Sequence, residues 1–252
     1  IGAEGQFVVG SMAACVVGIL VPAPAYLLIP MCFIAAALAG ALWGIIVGLL
    51  KTKFGINEVL SMIMFNWIAY FLSNYIAELP GITAGGGSEA TRDVSANAMI
   101  LLPQSWIKSL GLCKDANWGI FVSVLFIIAV WIIIEKTTTG YELKAVGFNR
   151  TAAEYGGINV NRSILLALAI SGALAGVGGA MQLLGMSKRI SVFAAQEGFG
   201  FQGISVALIG GSDPLGVLFA GLFYGILKYG GTKLNLIGAP SEVINIITGT
   251  VV

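Results

Sequence analysis

Residues 140–160, GYELKAVGFNRTAAEYGGINV, form a polar island between two long apolar stretches. A chain that only had to reverse direction at a membrane surface could do so in about 2–6 residues. The island is therefore read as a segment built to touch something outside the membrane. That reading sets the fold: apolar helices crossing a bilayer, joined at one place by an organised surface segment.

Within the island, Thr151-Ala152-Ala153-Glu154 fits a capping box, a hydroxyl followed three residues later by a carboxylate. It predicts a short helix starting near Thr151. Gly156-Gly157 would end it, because glycine readily adopts the left-handed conformation at a helix C-terminus. Ile158-Asn159-Val160-Asn161 then leads into the next apolar stretch. The small side chains of Ala152 and Ala153 suit a plug that seats in a socket on another protein. An ordinary interfacial helix explains the same residues equally well.

Working outward, 58% of the 252 residues are hydrophobic and 10% are charged, with 35 glycines, and the mean hydropathy is +0.94. A soluble domain would carry roughly 25% charged residues. Glycine-rich apolar chains suit membrane helices, whose backbones approach closely where side chains are small. The class is an all-α, polytopic transmembrane bundle in the cell membrane, in contact with lipid. The net charge of +1 offers no polybasic surface for nucleic acid. Histidine is absent, and Cys15, Cys32 and Cys113 lack metal-ligand spacing, so neither a metal site nor a disulfide framework is expected. Cys15 and Cys32 read as packing residues and Cys113 as a free thiol in a polar loop.

Six apolar stretches are visible: Phe7 to Val21 (short for a full crossing), Tyr26 to Leu50, Val59 to Leu79, Trp118 to Ile134, Ile164 to Met186 and Pro214 to Tyr229. About 20 residues are needed to cross the hydrocarbon. Gly203 to Gly211 is half that length, as expected of a broken or re-entrant helix. The chain begins with Ile-Gly-Ala-Glu, shows no signal peptide, and ends in the apolar run Val243 to Val252, too short to span. It reads as a fragment missing helices at both ends. Lys51 and Lys53 follow the second stretch, and Lys136, Lys144, Arg150 and Arg162 surround the island. Both basic links have the same parity, which places residues 136–163 in the cytoplasm and the loop 80–117, with Arg92, Lys108 and Lys114, outside. Sidedness beyond Met186 is left open.

Gly40, Gly44 and Gly48 line one stripe of the second stretch, and Gly172 and Gly176, followed by Ala180, line one of the fifth. Both are read as helix–helix contacts. Among polar residues inside apolar segments, Asn66 and Ser73 fall within about 20° of each other on a helix, and Asn74 shares a face with Trp67. Interhelical hydrogen bonding and substrate contact explain Asn66, Ser73 and Asn74 equally. Glu4 and Gln6 beside Gly2 and Gly5 suggest a helix break whose freed backbone groups they cap, with a place in a solute pathway as the alternative. Glu58 reads as an acid at a helix N-terminus, Lys228 and Lys233 as side chains snorkelling to an interface, and Asp213-Pro214 as a turn that starts a helix.

Gly147-Phe148-Asn149-x-x-Ala152-Ala153-x-x-x-Gly157-Ile158, then Ser171-Gly172-Ala173-Leu174-Ala175-Gly176, resembles the membrane permeases of ATP-binding-cassette importers. The branch is the one serving simple sugars, branched-chain amino acids and nucleosides. Ile1 to Gln6 and the run from Gly198 to Gly211 with Pro214-Leu215-Gly216 carry the same resemblance, which covers most of the chain apart from the loop 80–117. Gly2 to Gln6, and Asn57-Glu58-Val59 leading to Asn66, are most similar to nucleoside permeases that work with basic-membrane-protein lipoproteins. Ribose- or galactose-type sugar permeases are the alternative. The resemblance implies one permease domain over 1–252 with a coupling loop at 136–163. There Asn149, Thr151, Ala152, Ala153, Glu154, Gly157 and Ile158 would dock into a phosphate-loop ATPase subunit. It further implies a second permease subunit and an extracytoplasmic substrate-binding lipoprotein, with ATP and Mg held by the partner ATPase.

The chain has no G-x-x-x-x-G-K-[ST] phosphate loop and, without histidine, no Ser-His or Cys-His pair, so it is read as a transport subunit rather than an enzyme. A secondary transporter or channel would need intramembrane ionisable groups, of which the stretches offer few. A structural scaffold would leave the island unexplained.

Overall fold

The computed structural model describes residues 2–85, 89–103, 117–192, 195–236 and 249, with the side chains of 232–236 excluded. Cys113, Lys108, Lys114, the Lys233 side chain and, except for Gly249, the run Val243 to Val252 lie outside the described residues. Nine α-helices are described: α1 (Ala3–Leu20), α2 (Ala25–Phe54), α3 (Glu58–Ala77), α4 (Gly119–Lys136), α5 (Thr138–Phe148), α6 (Arg150–Tyr155), α7 (Val160–Gln182), α8 (Phe199–Ile209) and α9 (Pro214–Leu236). Among the described residues there are isolated bridges but no strand. Five helices are long and apolar enough to cross a membrane, or six if the α8–α9 pair, bent by 119°, counts as one span. The chain is a multi-pass membrane bundle.

Boundaries differ from the hydropathy reading where polar residues find distant partners. Helix α1 begins at Ala3, four residues before the apolar run, because Glu4 and Gln6 are buried inside the bundle rather than placed at its surface. The half-span predicted at Gly203 to Gly211 is α8, which starts at Phe199. Helix α5 was not expected: Thr137 caps it, its Oγ1 accepting from the Gly140 N–H at 3.2 Å. The turn before α9 is as predicted, with Asp213 Oδ2 accepting from the N–H groups of Leu215 and Gly216 and Pro214 at the first helical position.

Helices α1, α2 and α7 form the centre by backbone approach. A Cβ on Gly40 would overlap the carbonyl oxygen of Gly172, and one on Gly172 that of Gly40. Gly44 lies against the Leu168 carbonyl and Gly176 against that of Ala36, while Gly48 sits under the Leu165 side chain. The glycine stripes of α2 and α7 thus face each other. Two more glycines extend the contact to α1: Gly10 lies on Gly176, and Gly179 lies on the Phe7 carbonyl and the Ser11 N–H. Small residues permit this closeness, which substitutes for a hydrophobic driving force absent between helices in lipid.

The ends of the bundle are distinct. At one end Glu58 pairs with Lys51 and lies 3.9 Å from Arg150, which joins the α2–α3 link to the polar island. At the other, Thr91 accepts from the Ile190 N–H at 3.0 Å and donates its own N–H to the Ile190 carbonyl at 2.8 Å. Val94 packs under Gly18, and the Val94 N–H reaches the Lys188 carbonyl. The region after Met186, open in the sequence reading, therefore shares an end with the loop after α3. Cys15 and Cys32 are both buried free thiols here, Cys15 Sγ 3.5 Å from Thr91 Oγ1.

Candidate functional site

The polar island is two helices meeting at Asn149. The predicted capping box at Thr151 is not formed. Asn149 is the N-cap of α6, its Oδ1 accepting from the Ala152 N–H at 3.1 Å and from the Thr151 hydroxyl at 2.7 Å. Asparagine and threonine are both good caps, but α5 delivers the chain to Asn149 in extended backbone (φ −154°, ψ 108°), so α6 starts there. Gly157 takes the left-handed conformation (φ 84°), and the Ile158 N–H closes the end on the Ala153 carbonyl. Asn159 then caps α7 through the Arg162 N–H.

The exposed face of the island also differs from the expected one. Ala153 turns inward and is 6% exposed, whereas Thr151, Ala152 and Glu154 are exposed. Two aromatics that the sequence reading did not select stand out from the surface, Phe148 at 89% and Tyr155 at 98% exposure. Aromatic side chains within a polar surface segment are the signal that could have found them, since such residues anchor interfaces.

The second constellation is the break before α8. Glu4, 1% exposed, accepts from the Gly198 N–H at 2.8 Å and from the Gly200 N–H at 2.5 Å. The helix break anticipated around Gly2 to Gly5 lies instead at α8, and Glu4 caps that distant N-terminus. Gly200 makes the approach possible: a Cβ there would sit 2.5 Å from the Glu4 nitrogen. Gly198 is left-handed (φ 76°), which aims its N–H inward. Phe7, one turn beyond Glu4, packs on Phe199 with ring centroids 4.9 Å apart. The carboxylate satisfies backbone donors at the start of α8 that would otherwise be left unpaired beside the packed bundle. Lys228, expected to snorkel away, lies instead over the Phe199 ring and donates to Gln202 Oε1 at 2.6 Å. Glu4, Glu197 and Lys228 are close enough to interact electrostatically.

The remaining predicted pathway residues are not gathered at one site. Asn66 is buried and its Oδ1 accepts from the Gly5 N–H at 2.9 Å, which ties α3 to α1. The Gln6 side chain is buried near Gly44, on the other side of α1 from the α8 break. Ser73 borders a hollow of about 320 Å³ whose other walls are aliphatic, including Val9, Val16 and Leu72. Asn74 is half-buried and belongs, with Trp67, to a different face of α3 from Asn66 and Ser73.

The full chain, residues 1–252, matches the family described as the permease component of the branched-chain amino acid transport system. It is 39% identical to the guanosine ABC transporter permease protein NupP of Bacillus subtilis, over 100% of this chain and 71% of that protein. It is 33% identical to the nucleoside ABC transporter permease protein NupB of Lactococcus lactis, over 100% and 70%. It is 32% identical to the glucose ABC transporter permease protein TsgB13 of Haloferax volcanii, over 100% and 67%. No solved structure matches. With an apolar helical bundle, a broken helix and a family match over its whole length, the chain belongs to the permease family of the branched-chain amino acid transport type, the integral membrane subunits of ABC transporters.

Proposed function

We propose that this chain is the membrane-spanning subunit of an ATP-driven importer whose solute is a nucleoside. The observation that carries the reading is the likeness, over the whole chain, to the guanosine and nucleoside permeases. The glucose permease at 32% identity makes a simple sugar the second reading. In the assembled importer a second permease subunit completes the pathway and an extracytoplasmic lipoprotein delivers the solute. Two ATPase subunits bind ATP and Mg. The island faces the cytoplasm and α6 is its docking helix.

The island's shape supports that role. A rigidly capped helix of under two turns offers Ala152 between Phe148 and Tyr155, a small residue flanked by exposed aromatics. A displacement of α6 by the ATPase would pass to the transmembrane helices by two short routes. Arg150 leads through Glu58 to Lys51 at the α2–α3 link, and Gly157 to Asn159 leads directly into α7.

Recovery of partners in mild detergent tests the reading. Tagged wild-type protein should bring down a phosphate-loop ATPase, and Ala152→Arg should lose it while remaining folded and inserted. Ala153→Arg, at an inward position, should instead lower the stability of the island itself. A protein recovered alone that moves solute in vesicles without ATP would refute the importer.

A further inference from the structure

Polar side chains that this cycle leaves unused meet around a cavity of about 210 Å³ between α1, the end of α7, residues 187–191 and Glu197. Its walls include Phe7, Ser11, Gln182, Ser187, Arg189 and Glu197. The other cavities have different chemistry. The cleft of about 710 Å³ between α4 and α7 is largely apolar and lacks charged groups, as does the hollow beside Ser73. The cavity beneath the island is bounded by Lys51, Glu58 and Arg150, whose charges already answer one another. Only the cavity at Glu197, of these four, combines an aromatic wall, an amide, hydroxyls and charges of both signs.

Its place in the fold is equally specific. Glu197 directly precedes Gly198, whose N–H is held by Glu4. Phe7, another wall residue, packs on Phe199, the first residue of α8. Ile190 is tied to Thr91 of the loop after α3, so the cavity lies toward the end of the bundle opposite the island. A solute here would touch Ile190, which is tied to the loop, and Glu197, which adjoins the N-cap of the broken helix.

We propose that this cavity is the solute site of the permease and that it takes an uncharged nucleoside, a proposal that rests on the nucleoside reading above. The Glu197 carboxylate accepts hydrogen bonds from the vicinal ribose hydroxyls. Gln182 and Arg189 donate to carbonyl and ring-nitrogen acceptors of the base, and the Phe7 ring supplies an apolar face for it. The Ser11 hydroxyl already donates to the Val8 carbonyl at 2.8 Å, which leaves its oxygen as an acceptor. In the wall Glu197 and Arg189 carry opposite charges, and Glu4 and Lys228 beside Glu197 form a second opposite pair, so the site favours a neutral solute, and Glu197 opposes the phosphate of a nucleotide. A hydrogen bond to a charged group is worth about ten- to a hundredfold in affinity.

The test uses the assembled importer in proteoliposomes, with guanosine and glucose as the probes. Glu197→Gln should raise the guanosine KM about tenfold. In a background of Cys15→Ala, Cys32→Ala and Cys113→Ser, a Ser187→Cys variant should be labelled by a polar thiol reagent, and guanosine should slow that labelling while glucose does not. This second readout does not depend on the Glu197 variant folding. Guanosine transport with labelling of Ser187→Cys unchanged by guanosine would overturn the site and leave the transport reading standing. Glucose transport without guanosine transport would overturn the nucleoside reading and the ligand assigned here with it.

Discussion

Helices α1, α2 and α7 meet backbone to backbone, whereas α4 and α9 face α7 across a cleft of about 710 Å³ walled by Phe126, Val130, Leu174 and Val217. Along the first contact glycines lie directly on backbone carbonyls, with few side chains to rearrange, so its helices move as a unit. The second is made of side chains over open space, and α4 has only 6% of its spanning window buried. Packed interiors resist continuous deformation, so the three-helix centre behaves as a rigid block and the α4, α8 and α9 region as the compliant one. Glu4 matters because it is the polar link from the rigid block to the compliant half-helix.

Breaking the rigid side should have the largest effect. Gly172→Leu would drive a side chain into the Gly40 carbonyl, and we expect a loss above about 3 kcal/mol, seen as failure to accumulate a folded protein in detergent. Cutting the link comes next. Glu4→Ala strands the N–H groups of Gly198 and Gly200 and should cost about 3 kcal/mol, with protease access appearing near residues 195–198. Glu4→Gln keeps one acceptor and should cost about half as much. If Glu4→Ala were as stable as wild type, the link between the two regions would not exist.

Smaller effects sharpen the contrast. Glu58→Ala removes the partner of Lys51 and a neighbour of Arg150, but the carboxylate is 38% exposed. Thermal unfolding should show a change within about 1 kcal/mol, reduced further by salt. Gly225→Leu on α9, where a Cβ would meet nothing within 4 Å, should change stability by about 0.5 kcal/mol or less. A large loss there would show that α9 is packed against something as tightly as α2 is against α7.

Much of the architecture is legible in local chemistry. The spans follow from runs of apolar residues, and the stripe of Gly40, Gly44 and Gly48 announces a close helix contact because its spacing puts three glycines on one face. The site is less legible. Thr151 and Asn149 are both capping residues two positions apart, and only the path of α5 chooses between them. Ala153 and Ala152 are chemically identical, yet one faces inward and the other out.

The sequence by itself determined that this is a membrane bundle with one broken helix and one organised polar island, because hydropathy and glycine spacing are properties of neighbouring residues. Tertiary structure alone decided that Glu4 closes a helix whose N-cap lies 194 residues away from it. It also decided that Lys228 lies across Phe199 and that Phe7, Arg189 and Glu197 share one cavity. Such partnerships depend on where packed helices bring their ends, and nothing in the local chemistry of either partner records that.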